Sequence, residues 1–305
     1  MLHPRIDDLL ELRHQARTIG IASHHQVNSI LCGLYRSVFR GQGMDFEEVR
    51  EYRYGDEIRN MDWGVTARTG KAHLKVFREE RERTVLLCVD VSPLMQFGTR
   101  GTFKSIQAAR CTALLGWAAN ANQDRTGALL FGNPKEGVEY FTPSRVRRSL
   151  WRVLKALTRE PVSGHPEGDP LVGALDRANR SAATGALIFV IGDFNREVQP
   201  LEEPLGRLRQ RHEVVLIPID DPADRELPAV GRVILSAPDG SRIELDTDNE
   251  AGRRRFRETW DKQRQQLTTM VRSLGIDMMP VSTTENVHQA LVRGLRLRVR
   301  HMVTG

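Results

Sequence analysis

The chain has 305 residues, with 45 Lys and Arg against 39 Asp and Glu, for a formal net charge of +6. Hydrophobic residues make up 40% and charged residues 28%, which is typical of a globular protein and excludes a mainly disordered chain. No apolar run approaches the roughly 20 residues that a membrane helix needs, so we expect no contact with a membrane.

Two further features predict a cytoplasmic protein. Asp7 and Asp8 stand where a secretory signal peptide would be apolar. The cysteines, Cys32, Cys88 and Cys111, are far apart and lie in apolar contexts. They are typical of buried thiols in a reducing compartment, and not of a disulfide framework or a zinc site.

The N-terminal part of the chain divides into two predicted segments. Residues 1–30 form a helical segment, because apolar side chains recur at helical spacing over 5–19. Residues 31–83 form a small, charged, strand-rich subdomain, since glycines interrupt short runs. Strands are expected near 31–39, 46–53 and 73–80, with a helical turn near 57–67.

From residue 84 to residue 305 the pattern is that of one α/β domain. Apolar runs predict strands at 84–90, 125–131, 186–192, 213–219 and 276–281, and amphipathic runs between them predict helices near 102–122, 145–159, 171–181, 200–211, 250–274 and 284–297. A short extra strand at 138–141 and a hairpin over 230–246 complete the prediction. The fold class is therefore a doubly wound, mostly parallel sheet with helices on both faces.

The basic residues are concentrated on two predicted helices, which raises nucleic-acid binding as an alternative. They are Arg145, Arg147, Arg148, Arg152, Lys155 and Arg159 on one helix, and Arg253, Arg254, Arg255 and Arg257 on another. Neither group has the interleaved aromatic residues of a single-strand binding surface. A solvated helix face is therefore favoured, and nucleic acid is not expected as a partner.

Two acidic residues follow predicted parallel strands directly. Asp90 ends the run Thr84–Val89, and Asp193 follows Leu187–Gly192. Ligands of doubly wound sheets bind beyond the carboxyl ends of the strands, where both acids would lie. Ser92, two residues after Asp90, adds a hydroxyl, and such oxygens suit a hard cation. The competing interpretation is that these side chains only cap loops and helices.

Two stretches carry a resemblance to known families. Asp90-Val91-Ser92 after a buried strand resembles the start of the Asp-x-Ser-x-Ser metal motif of von Willebrand factor A-like domains. The run from Glu51 to Trp63, EYRYGDEIRNMDW, followed by Ala67-Arg68-Thr69-Gly70, resembles the bacterial domain of unknown function family number 58. The resemblance covers roughly residues 30–300, and it implies a von Willebrand factor A-like domain with a small N-terminal elaboration.

The resemblance also implies a ligand set and a partner. The metal ligands would be Asp90, Ser92, Asp169 and Asp193, with Asp169 at or near the family's threonine and Leu94 in place of its second serine. An incomplete site for Mg²⁺ or Mn²⁺ is expected on that basis. Members of the family are often encoded beside MoxR-type AAA+ ATPases, so a MoxR-type ATPase and a client protein are the implied partners.

The charged segment before the first central strand is predicted to act as a structural latch or a partner-facing surface. Its members are Arg53, Asp56, Arg59, Asp62, Trp63 and Arg68. An ion-pair network with Trp63 packed beneath it would fix the small subdomain on the α/β domain, because buried pairs fix geometry more than they add stability. A latch is favoured over a direct catalytic role, and a combined role stays open.

The sequence carries few signs of an enzyme. There is no Gly-x-Ser-x-Gly elbow, no Walker phosphate-binding loop and no His-Glu-x-x-His motif. Together with the family resemblance, which implies the adhesion-type site and the ATPase partner, this favours a non-enzymatic protein-binding or adaptor module. Its divalent-cation-dependent site would be incomplete, and it would work with the ATPase in protein assembly or maturation. The alternatives are a metal-dependent phosphoester hydrolase that uses Asp90 and Asp193 as ligands, and nucleic-acid binding through the basic helices.

Overall fold

A computed structural model of the chain describes residues 3–20, 45–52, 61–78, 83–160, 162, 164, 168–236 and 241–304. The chain divides into two compact units, one of residues 1–38 and 84–305 and the other of residues 39–83. The predicted strand near 31–39 lies outside the described residues, as does Cys32.

The described residues of the smaller unit form an antiparallel strand pair and a helix. Strand β1 (Asp45–Glu51) pairs with strand β2 (His73–Arg78), and helix α2 (Trp63–Thr69) lies between them in sequence, after helix α1 (Ile6–Gly20) of the larger unit. Helix α2 begins later than the predicted turn because Asp62 caps it, accepting hydrogen bonds from the amides of Gly64 and Val65 at 3.0 and 3.1 Å.

The larger unit is built on a mixed sheet that is mostly parallel, as the sequence predicts. Its strands stand in the order β10-β7-β6-β3-β4-β5, with β11 also paired to β7. Only β5 runs antiparallel within this sheet, and it forms one edge. The strands are β3 (Thr84–Asp90), β4 (Arg125–Asn133), β5 (Gly137–Ser144), β6 (Leu187–Gly192), β7 (Glu213–Asp220), β10 (Asp277–Met278) and β11 (Val281–Ser282).

Helices connect these strands, and a hairpin extends from the unit. The hairpin is β8 (Arg232–Ser236) and β9 (Arg242–Asp246). The helices are α3 (Lys104–Ala121), α4 (Arg147–Leu157), α5 (Pro170–Ser181), α6 (Gln199–Arg211), α7 (Pro222–Arg225), α8 (Glu250–Ser273) and α9 (Val287–Thr304). None of the helices in the described part of the chain is long and apolar enough to span a bilayer.

One predicted strand is wrong in detail. The run 276–281 forms two short strands, β10 and β11, and not one continuous strand. Pro280 stands between them, and proline has no amide hydrogen to donate to a neighbouring strand. The backbone is nevertheless held beside β7 because the Met279 amide donates to the Leu216 carbonyl at 2.8 Å.

The core explains why the central strands are continuously apolar. Residues Val85–Val89 of β3 and Leu187–Ile191 of β6 are fully buried, because helices cover both faces of the sheet. Cys88 on β3 and Cys111 on α3 are free thiols inside this core. Burial raises the pKa of the Cys88 thiol to about 12, and it raises the pKa of Cys111 as well.

Helix α1 packs on α3, within the larger unit. Leu9 and Ala16 are each only 1% exposed. The indole nitrogen of Trp117 donates a hydrogen bond to the Leu9 carbonyl at 3.1 Å. The N-terminal helix is therefore part of the hydrophobic core and covers one side of α3.

Leu9→Ala should lower the free energy of unfolding by about 2–5 kcal/mol, because it leaves a cavity between α1 and α3. Glu11→Ala is the matched control: Glu11 is exposed on the same helix, so its loss should change stability by no more than about 0.5 kcal/mol. Urea denaturation of both variants measures the difference. Equal stabilities would show that α1 is not packed in solution.

Candidate functional site

The candidate site is a cleft of about 330 Å³ at the carboxyl edge of the central sheet. Strands β3 and β6 are parallel neighbours, with Val89 opposite Ile191, so Asp90 and Asp193 emerge side by side. The cleft is lined by acidic residues Asp90, Asp169 and Asp193, by polar residues Ser92, Asn195 and Arg196, and by apolar residues that include Pro93, Leu94, Phe131, Pro170 and Leu171. All four predicted metal ligands therefore line one cleft.

Asp90 and Ser92 form the floor of this cleft. The Ser92 amide donates to Asp90 Oδ1 at 2.8 Å. Burial raises the pKa of Asp90 to about 6, although the hydrogen bond from the Ser92 amide lowers it in part. Ser92 is 7% exposed, and its hydroxyl Oγ finds no hydrogen-bond partner of normal geometry. A buried polar atom without such a partner is unfavourable for folding, and it is available to a bound group.

Two glycines hold the backbone tightly around Asp90. A Cβ atom on Gly132 would lie 2.8 Å from Ser92 Cβ and 3.0 Å from Asp90 Oδ1. A Cβ atom on Gly192 would lie 2.8 Å from Asp90 Cβ. Gly132 also has φ +87° at an irregularity of the β4–β5 pairing, where a side chain would be strained. Residues other than glycine at these two positions would displace the Asp90 carboxylate.

Lys104 is buried beside the cleft and was not anticipated from the sequence. It is the first residue of α3 and is 1% exposed. Its ammonium donates to Asp193 Oδ2 at 2.7 Å and to Asp224 Oδ1 at 2.9 Å. Burial by itself would lower the pKa of Lys104, but the two carboxylates outweigh burial and the pKa is raised. The side chain therefore stays protonated.

Asp224 is itself fixed by a capping box on α7. The Asp221 amide donates to Asp224 Oδ2 at 2.7 Å, and Asp221 accepts from the Ala223 amide at 2.9 Å. Asp221 also accepts from the Thr99 amide at 2.9 Å and from the Thr283 hydroxyl at 2.6 Å. The loop before α3, the start of α7 and the segment after β11 are thereby connected through one carboxylate.

Asp169 has a structural role that the sequence left open. It caps α5, accepting from the amides of Leu171 and Val172 at 3.1 and 3.3 Å. Both of its oxygens also accept hydrogen bonds from the guanidinium of Arg196, one of them at 2.9 Å from Nη1. The guanidinium fork matches a carboxylate, so this pair is geometrically specific. Arg196, like Lys104, was not anticipated from the sequence.

The charged segment is only partly described. Arg53, Asp56 and Arg59 lie outside the described residues. Nε of the Arg68 guanidinium donates a hydrogen bond to the backbone carbonyl of Gly64 at 3.2 Å. Trp63 is 69% exposed, and the ion-pair network expected around it stays a prediction. As the first residue after the Asp62 cap, its side chain projects into solvent.

Few protein oxygens of the cleft are free to bind a divalent cation. Mg²⁺ takes six oxygen ligands, of which one or two are usually carboxylates and several are waters. Asp193 uses Oδ1 on the Asn195 amide at 2.7 Å and Oδ2 on Lys104, and both oxygens of Asp169 are bound to Arg196. Leu94 offers no oxygen, which leaves Asp90 and the Ser92 hydroxyl. No group of three or more His, Cys, Asp or Glu side chains among the described residues is arranged to hold a metal ion. The predicted Mg²⁺ or Mn²⁺ site stays a prediction, and this arrangement of donors argues against it.

Comparisons with known proteins identify relatives without a described activity. Residues 48–266 match the family described as "Protein of unknown function DUF58". Uncharacterized proteins of Mycobacterium bovis and Mycobacterium tuberculosis are 28% identical over 306 residues, covering 100% of this chain and 95% of theirs. The crystal structure of the conserved hypothetical protein BatB from Bacteroides thetaiotaomicron is similar with a TM-score of 0.45 and 15% identity, covering 72% of this chain and 99% of that one.

Asp90→Asn should stabilise the protein at neutral pH. The pKa of Asp90 rises from 3.8 to about 6 on folding, so the folded state binds more protons between these values and loses stability as the pH rises. A pKa shift of about two units lowers the stability of the folded state by up to about 3 kcal/mol, and this full cost is reached above about pH 6. The difference in unfolding free energy between variant and parent should therefore grow from about pH 4 to about pH 7. Asp7→Asn, at an exposed position on α1, should show no such gain, and a flat profile for Asp90→Asn would contradict the assignment.

Gly132→Ala should destabilise the protein more than Gly137→Ala does. Both glycines have positive φ, +87° and +63°, but nothing lies within 4 Å of a Cβ atom at Gly137. The backbone strain is common to the two variants, so the difference reports the clash with Asp90 and Ser92. We expect about 1–3 kcal/mol of additional loss in urea denaturation. Equal losses would show that Gly132 does not constrain the cleft.

Proposed function

This chain belongs to the DUF58 family, and we propose that it is a non-catalytic protein-binding module whose cleft at the carboxyl edge of the central sheet receives a side chain of a partner protein. The observation that carries the proposal is the cleft itself. It combines fixed charges with an exposed apolar rim: Asp193 and Asp169 are held by Lys104 and Arg196, while Leu94 is 55% exposed.

The chemistry of the cleft supports binding more than turnover. Enzymes of hydrolysis pair a nucleophile with a base that is oriented by a third group. Among the described residues that line the cleft, the Ser92 hydroxyl stands beside Asp90, and no histidine is present. An exposed leucine at the mouth of a polar cleft is instead suited to contact with another protein, since apolar residues at the centre of an interface are surrounded by polar ones.

The finer parts of the proposal come from the family resemblance. A von Willebrand factor A-like arrangement is supported by the mostly parallel sheet and by the position of Asp90 after its first strand. A MoxR-type AAA+ ATPase is the proposed partner, in the assembly or maturation of a client protein. A cytoplasmic location is supported by the free thiols of Cys88 and Cys111.

The charged segment is proposed as a second, partner-facing surface. Trp63 is the observation in its favour, because an exposed tryptophan is enriched at interfaces between proteins. The latch role would require buried ion pairs, and Lys71 and Glu51 of the same unit form an exposed pair at 3.0 Å, which contributes little to stability.

Leu94→Gln should weaken binding to the purified MoxR-type ATPase at least about tenfold, which corresponds to about 1.4 kcal/mol. Ile243→Gln is the matched control, because Ile243 is 61% exposed on the β8–β9 hairpin and does not line the cleft. Calorimetric titration of the full chain compares the two. Equal affinities would remove the cleft from the interface.

The same preparations distinguish the hydrolase alternative. A chromogenic phosphate monoester should show no turnover above background in the presence of Mn²⁺. Turnover that Asp90→Asn abolishes would replace the binding module with a metal-dependent hydrolase.

A further inference from the structure

We propose that Lys104 and Arg196 are the resident cations of the cleft, so that it works without a divalent ion and presents its remaining carboxylate, Asp90, to a cationic side chain of the partner. The recognition is thus of a lysine or arginine, and not of an acidic side chain bridged by a metal. The inference rests on the proposed function only in taking the ligand to be part of a protein.

The first step is the position of the Lys104 ammonium. It lies 2.7 Å from Asp193 Oδ2 and 2.8 Å from Asp224 Oδ2, with the side chain 1% exposed. The centroid of the Phe97 ring lies 5.5 Å from Nζ, within the range of a cation–π contact. A permanent charge in this position supplies the positive charge that Asp193 would otherwise draw from a bound ion.

The position of Lys104 at the start of α3 strengthens this assignment. A cation at the N-terminus of a helix is opposed by the helix dipole. Burial of the ammonium is a second unfavourable term. Both are offset by the pair of carboxylates, which makes Lys104 a specific part of the cleft and not an incidental surface residue.

The second step is Arg196, which forms an ion pair with Asp169 as Lys104 does with Asp193. Its guanidinium is 33% exposed and Asp169 is 26% exposed, so the pair stands at the wall of the cleft and not in solvent. Both oxygens of Asp169 accept hydrogen bonds from the Arg196 guanidinium, and one of them also caps α5. If this carboxylate turned to bind a metal ion, the ion pair would break and the helix would lose its cap.

The third step is the charge that remains. Asp169, Asp193 and Asp224 share two cations, Arg196 and Lys104, and Asp90 has none, so these side chains together keep a net negative charge when all four acids are ionised. Among the described side chains that line the cleft, Asp90 is the acid without an ion pair. Its carboxylate has two glycines against it and the unsatisfied Ser92 hydroxyl beside it, so an incoming ammonium or guanidinium finds a charged and a neutral acceptor together.

The first experiment titrates the full chain with Mn²⁺ and measures bound metal by electron paramagnetic resonance. We expect no stoichiometric binding by the natural protein. Lys104→Met should bind Mn²⁺ at least about tenfold more tightly, because it exposes Asp193 and Asp224 to the ion, and Mn²⁺ should raise its melting temperature. One Mn²⁺ bound by the natural protein and lost in Asp90→Asn would overturn the inference, whether or not Lys104→Met folds.

The second experiment tests the charge of the ligand with two small probes, N-acetyl-arginine amide and N-acetyl-glutamate amide. Amide shifts near Asp90 and Leu94 should respond to the arginine probe alone, without metal. Asp90→Asn should weaken this response at least about tenfold, which corresponds to about 1.4 kcal/mol, and the exposed Asp246→Asn on β9 should leave it unchanged. A response to the glutamate probe that requires Mn²⁺ would overturn the inference.

The outcomes also separate the two proposals. If the ATPase does not bind in any assay but the arginine probe gives its response without metal, the proposed partner is contradicted. The assignment of Lys104 and Arg196 as the cations of the cleft then still stands. ATPase binding that requires Mn²⁺ would contradict the resident cations and leave the binding module in place.

Discussion

The carboxyl edge of the sheet depends on one buried contact, the ammonium of Lys104 between Asp193 and Asp224. It connects the start of α3 to the ends of β6 and α7, which are far apart in sequence. Removing one member of such a group leaves the others buried and uncompensated, so each partner fixes the positions of the rest. Asp90 lies at the end of the neighbouring strand β3, where Gly132 and Gly192 pack against it.

The positions of Asp90 and Asp193 at this edge can be predicted from the sequence, because the signal lies in the residues just before each of them. The apolar runs before Asp90 and Asp193 identify buried parallel strands, and parallel strands end at the same edge. Lys104 and Arg196 are different, because they meet their partners across 89 and 27 residues. No spacing rule connects positions so far apart. A lysine at the first position of a mostly apolar helix was the available signal, since the helix dipole disfavours a cation there.

The sequence prediction departs from the structure where single residues decide the backbone. Pro280 divides a run that resembles one strand, and the Asp62 cap starts helix α2 at Trp63, later than the predicted turn. The family motif predicted ligands by position, and the cleft does contain them. Whether a carboxylate oxygen is free to bind a metal ion, however, depends on whether a lysine or arginine already donates to it, as Lys104 does to Asp193 and Arg196 does to Asp169. The motif identifies the oxygen donors, but it does not show which of them are already hydrogen-bonded.

Cys88 gives this arrangement a consequence for chemical labelling. It lies two residues before Asp90, inside the sheet, and its thiol ionises only near the most alkaline conditions that a protein tolerates. An alkylating reagent that needs the thiolate therefore reacts only during excursions that expose β3 to solvent. The rate of modification of this single sulfur then measures how often the strand beneath the cleft opens, and a ligand seated on Asp90 should slow that rate in proportion to its occupancy.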